Sequence, residues 1–112
     1  MTLQEIIAKL NLTVLTTPRN FAAITPQGGY ASDLLSCVMA GAQPDNLWVT
    51  LQAHMNVVAV ASLREVSAVI ITENAQPEPE VIAKANEQGV TLLATAEPSY
   101  QVIGKLWEFG IR

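Results

Sequence analysis

FAAITPQGGYASDLLSCVM, residues Phe21–Met39, is the stretch whose reading decides the fold. Phe21–Thr25 is short, apolar and partly β-branched, which predicts a buried strand. Pro26 removes a ladder donor and Gly28 and Gly29 tolerate positive φ, so the strand is expected to end there in a turn. Ser32 and Asp33 suit a helix start. Leu34, Leu35, Val38 and Met39 then give a helix over Ser32–Ala40 one apolar face, with Gly41 as its C-cap. The expected unit is strand, glycine turn, helix N-terminus. Such a turn can present backbone N–H groups to an anion or to a partner's backbone, or serve only as a tight corner.

Upstream, Thr2–Leu10 reads as a helix, because Thr2 and Glu5 have capping-box spacing and Leu3, Ile6, Ile7 and Leu10 form one stripe. Leu12–Leu15 is a short strand candidate, antiparallel to the next strand or outside the sheet, since its connection is too short for a parallel crossover. Downstream, Leu47–Leu51 (LWVTL) and Ser67–Thr72 (SAVIIT) read as strands. Parallel strands need a helical crossover, so Met55–Glu65 is expected to be a fully buried helix despite its valines. Pro77, Glu78, Pro79 and Glu80 announce a helix over Glu80–Gln88, ended by Gly89. Val90–Ala94 is the last strand. Pro98 opens a final helix with Val102, Ile103, Leu106 and Trp107 on its apolar side, ended by Gly110. This alternation predicts an α/β class with a mostly parallel sheet of four to five strands covered on both faces, one domain over 1–112.

Composition bounds the function. Charged residues are 14% of the 112, against a usual value of about 25%. So sparse a charged surface predicts that part of the apolar surface is covered by another subunit, and a homodimer is expected. A net charge of −4 and six scattered basic residues exclude nucleic acid as a natural partner. No apolar run approaches the ~20 residues that span a bilayer. The amphipathic N-terminus is too polar for a signal peptide and a lone cysteine cannot form an internal disulfide, so a cytoplasmic location is expected.

Ligands in open parallel sheets sit outside the carboxyl ends of the strands. On the expected strand map, Gly28 and Gly29 follow one strand there. Thr50, Gln52, His54 and Asn56 follow the next, with Asp33 near the first helix start. These seven residues are the candidate ligand-binding set. Polar loops are common in any fold, so a cleft and ordinary loop are both open readings. His54 has no carboxylate or nucleophile at a recognisable spacing, which favours a structural or contact role over catalysis. One His and one Cys make no metal site, and Cys37 suits a small core or interface position. Gly104-Lys105 lacks the preceding glycine and the following Ser or Thr of a phosphate loop, and Gly28-Gly29 is not followed by a dinucleotide fingerprint. No cofactor is indicated.

The two blocks GGYASDLLS, residues 28–36, and WVTLQAHMNVVAVA, residues 48–61, resemble the DRTGG domain family. The likeness is greatest to the short, stand-alone members often encoded beside iron hydrogenase genes, and it extends to the closing Gly104-Lys105-Leu106-Trp107. The five letters of the family name do not occur as a string. The resemblance implies a three-layer α/β/α domain similar to the N-terminal domain of HPr kinase/phosphorylase, a tendency to dimerise and a regulatory role. The kinase activity of that enzyme belongs to a separate domain whose phosphate loop is missing here. The expected function is therefore a non-enzymatic regulatory or accessory homodimer, with a protein partner. The alternative is a small-molecule sensor binding a nucleotide or anion at the carboxyl edge of the sheet. An enzyme built on His54 and Asp33 would lack a complete constellation.

Overall fold

The computed structural model describes all residues, Met1–Arg112. Helix α1 is Leu3–Leu10 and strand β1 is Thr13–Val14. They are followed by β2, Gly29–Ala31, α2, Leu35–Gly41, and β3, Leu47–Thr50. Then come α3, Met55–Arg64, β4, Ala68–Ile71, α4, Pro79–Gln88, β5, Leu92–Ala94, and α5, Ser99–Glu108. The five strands lie in the order β1-β5-β4-β3-β2. Strands β2 to β5 are mutually parallel, while β1 runs antiparallel to β5 rather than to the strand that follows it in sequence.

Because β2, β3, β4 and β5 are laid down in one direction, right-handed crossovers put every intervening helix on the same face. That face packs Val38 of α2, Val57, Val58 and Ala61 of α3 and Val81 and Ala85 of α4 onto Trp48, Val69, Ile71 and Leu92. The opposite face packs Leu3, Ile6 and Leu10 of α1 and Val102 and Leu106 of α5 onto Leu47, Val49, Ala68, Ile70 and Leu93. Side chains alternate along each central strand, and both sides are dry. The result is a three-layer α/β/α domain.

Two expectations are corrected. Phe21–Thr25 is not a strand: Phe21–Ala23 forms a short 3-10 turn with Ala22 and Ala23 exposed, and the strand lies later, at Gly29–Ala31. Phe21 and Ile24 bury instead against the α1 side of the core, where Leu3 N–H donates to the Ile24 carbonyl at 2.8 Å. The apolar residues were satisfied by a helix rather than a sheet. Second, α3 is buried on one side only, because Met55, Asn56, Ala59 and Leu63 are exposed. Smaller shifts follow from local bonds. Ser32 Oγ accepts from Leu34 N–H at 3.1 Å, so α2 starts at Leu35. Gly41 is the last helical residue of α2 and Ala42 its cap; a side chain at Gly41 would collide with the Tyr30 ring.

The capping box of α1 is formed as expected. Thr2 N–H and Oγ1 donate to Glu5 Oε1 at 3.0 and 3.1 Å, and Glu5 N–H donates to Thr2 Oγ1 at 3.2 Å. The Thr2 backbone N–H first, then its hydroxyl, hold the exposed Glu5 carboxyl below its ordinary range. A carboxyl lowered in the folded state stabilises above its unfolded value and loses that contribution as pH falls through the folded one. The Glu5→Gln protein is therefore expected to show a flatter acid limb when unfolding free energy is measured by urea titration across the acidic range.

Candidate functional site

Strand β2 is an edge strand, and its three residues set the site. Tyr30 points to the α2 side, where its hydroxyl donates to the Cys37 carbonyl at 3.0 Å. Gly29 and Ala31 point to the α5 side, and both are exposed. Helix α5 packs over β3 but leaves these two small residues uncovered. Between α5 and β2 lies an apolar cavity of about 140 Å³ whose walls include Gly29, Ala31, Val49, Ile103 and Trp107. Past Ala31, Val49 and Ile103 it continues into a hollow reaching Ser32, Asp33 and Ser99. One groove thus runs along the edge strand from the amino to the carboxyl end of the sheet.

Its carboxyl end is a hydrogen-bonded polar cluster. Asp33 Oδ1 accepts from the buried Thr50 hydroxyl and from Leu51 N–H, each at 2.8 Å. Gln52 Nε2 donates to the Asp33 carbonyl at 3.3 Å, and Gln52 N–H to Thr50 Oγ1 at 3.1 Å. Trp48 Nε1–H, two residues before Thr50 on β3, donates to the Ser32 carbonyl at 2.9 Å. Next to this cluster Thr72 and Ser99 share a short hydroxyl–hydroxyl bond, and Glu73 Oε2 accepts from Ser99 N–H at 2.7 Å, filling the N-terminus of α5. The amino end carries the one cation of the groove. Arg112 stacks 5.1 Å from the Trp107 ring and its Nε donates to the Trp107 carbonyl at 3.2 Å.

Asp33, Thr50 and Gln52 are therefore brought together. His54, the residue before α3, and Asn56, in its first turn, follow on the same edge; both are exposed and no hydrogen bond or ion pair links either to Asp33. Gly28 and Gly29 are not part of this cluster. Gly29 aligns with Leu47 at the start of β3, so the glycine pair sits at the amino edge. That is a strand length from Thr50, roughly 10 Å at 3.3 Å per residue. The glycine turn expected beyond a strand is instead the entrance to one.

Ile103, Trp107, Ala31 and Arg112 escaped the sequence reading as groove residues. A signal existed: the apolar arc of α5 is too wide for one buried stripe. Val102 and Leu106 are buried while Tyr100, Ile103 and Trp107, a parallel stripe, stand 88%, 37% and 58% exposed. Cys37 is likewise exposed.

The family model described as the DRTGG domain matches residues 34–109. The chain belongs to the DRTGG domain family. The match starts just after β2 and takes in Thr50, Gln52, His54 and Asn56 but not the glycine pair. Among solved structures, this DRTGG domain is similar to the CBS and DRTGG domains of the regulatory region of Clostridium perfringens pyrophosphatase, complexed with its activator diadenosine tetraphosphate. The TM-score is 0.76 at 15% identity, over 92% of this chain and 44% of that one. At that identity the likeness is one of fold, and the chain spans less than half of that neighbour. No curated protein matches it. No helix is long and apolar enough to cross a membrane.

Removing the Asp33 carboxylate deprives the buried Thr50 hydroxyl and Leu51 N–H of their acceptor. Asp33→Ala is expected to cost ~1–3 kcal/mol by urea unfolding, and Asp33→Asn, which keeps an Oδ1 acceptor, to recover most of it.

Proposed function

We propose that this DRTGG domain is a non-enzymatic regulatory or accessory module, acting as a homodimer attached to an iron hydrogenase system. The observation that carries this reading is the use made of Asp33. Its Oδ1 is consumed in bracing β3 against the exit of β2, and His54 stands alone on the surface. The strongest candidate acid–base pair of the chain is thereby unpaired, whereas an apolar groove faces solvent. The first feature argues against turnover and the second for binding. The pyrophosphatase neighbour, whose own domain belongs to a regulatory region, is in keeping with it. The hydrogenase connection comes from the stand-alone members that the sequence resembles. In pull-downs from native extract, a protein of the hydrogenase system is expected to copurify with the tagged chain. Recovery of the chain alone would remove the accessory role.

A sensor of a nucleotide or other anion is the second reading. It is favoured by the start of α3, where no side chain caps the helix and Gln52, His54 and Asn56 lie at and just before the first turn. In a melt with ATP, diadenosine tetraphosphate or inorganic phosphate, a ligand at ~100 times its Kd adds about 2.7 kcal/mol. For a domain of this size that raises Tm by roughly 10 °C. A His54→Ala/Asn56→Ala protein is expected to lose that shift, and a melt unmoved by all three compounds rejects the sensor.

A further inference from the structure

We infer that the partner of the groove is a second copy of this chain, docked by antiparallel pairing of the two β2 strands about an axis at Tyr30. The inference rests on the homodimer reading above and adds the surface. Leu47 N–H donates to the Gly28 carbonyl at 2.8 Å and Ser32 N–H to the Val49 carbonyl at 3.3 Å, so the alternate residues of β2 face β3. A parallel ladder then turns the N–H and C=O of Gly29 and Ala31 outward, to the open edge of the sheet. With Tyr30 opposite its counterpart, Gly29 of each copy meets Ala31 of the other, and both residues exchange backbone bonds. Registers shifted by one residue to either side would pair only one of them.

Charge chooses the same arrangement. Arg112 sits at the amino end of β2, where its carbonyl bounds Gly28, and Asp33 lies just beyond the carboxyl end. Antiparallel pairing brings Arg112 of one copy toward Asp33 of the other, twice over. Each has capacity left: no hydrogen bond engages Asp33 Oδ2 or the terminal guanidinium nitrogens of Arg112. On the α5 face, Gly29 and Ala31 of both copies floor one trough walled by two α5 helices, and Ile103 and Trp107 close over it.

The test is a dilution series of the full chain by light scattering, with amide hydrogen exchange followed at Gly29 and Ala31. The expected result is a dimer at tens of micromolar whose Gly29 and Ala31 amides exchange at least ten-fold faster once diluted to monomer. Trp107→Glu, an exposed position, and Arg112→Glu are each expected to raise the dimer Kd ten-fold or more with far-UV circular dichroism unchanged. A dimer that ignores both substitutions and leaves these amides fast at every concentration overturns the β2 interface while the homodimer survives. A monomer throughout overturns both.

Discussion

Asp33 closes the one joint on which the edge of this domain depends. Strand β2 is three residues long, and a ladder that short gains little on its own. It is secured by hydrogen bonds outside the ladder: the Trp48 indole to the Ser32 carbonyl, the Tyr30 hydroxyl to the Cys37 carbonyl, and the Thr50 hydroxyl and Leu51 N–H to Asp33. The Asp33 bonds are charge-assisted and one partner is a buried hydroxyl, which makes them the strongest of the set. They also fix where β3 ends, and so where Gln52 turns the chain toward α3. The polar edge is thus foremost a structural clamp.

The winding of the sheet decides what remains open. In a doubly wound sheet the strand order reverses, and a crevice forms where adjacent crossovers leave in opposite directions. Here β2 through β5 follow one another without reversal, so no such crevice exists among the parallel strands. With three helices committed to one face, only α1 and α5 remain for the other, and two helices do not reach across five strands. The strand left uncovered is β2. Exposure of Gly29, Ala31, Ile103 and Trp107 is therefore a consequence of topology and not of a local accident.

Much of this was legible in the sequence. The capping box of Thr2 and Glu5, the dry strands at Leu47–Thr50 and Ala68–Ile71 and the helix between them follow from spacing and from the crossover rule. Those features are local, or are forced by their neighbours. Phe21–Thr25 failed because a short apolar run says that it is buried and not against what; Ile24 is bound by α1, a partner read only from tertiary structure. Gly29–Ala31 failed for the converse reason. A strand with two small residues and one tyrosine carries almost no β signal, and it is held by side chains from elsewhere in the chain. Of the candidate site, Asp33, Thr50 and Gln52 meet in one hydrogen-bonded cluster, but the glycine pair changed edges once its strand moved by several residues.

Gly28 shows what that pair does at its real location. Its φ is +145°, and an added Cβ would lie 3.0 Å from the Arg112 carbonyl oxygen and 3.1 Å from Asn46 Nδ2. The absence of a side chain lets the C-terminal residues fold back onto the start of β2. Ile111 is buried there, and Arg112 is fixed against Trp107. A bulkier residue would push this segment outward and carry the aromatic wall of the groove with it. Gly28 acts here through its missing side chain. It allows backbone to meet backbone closely enough that the last turn of α5, and not solvent, forms the side of the groove.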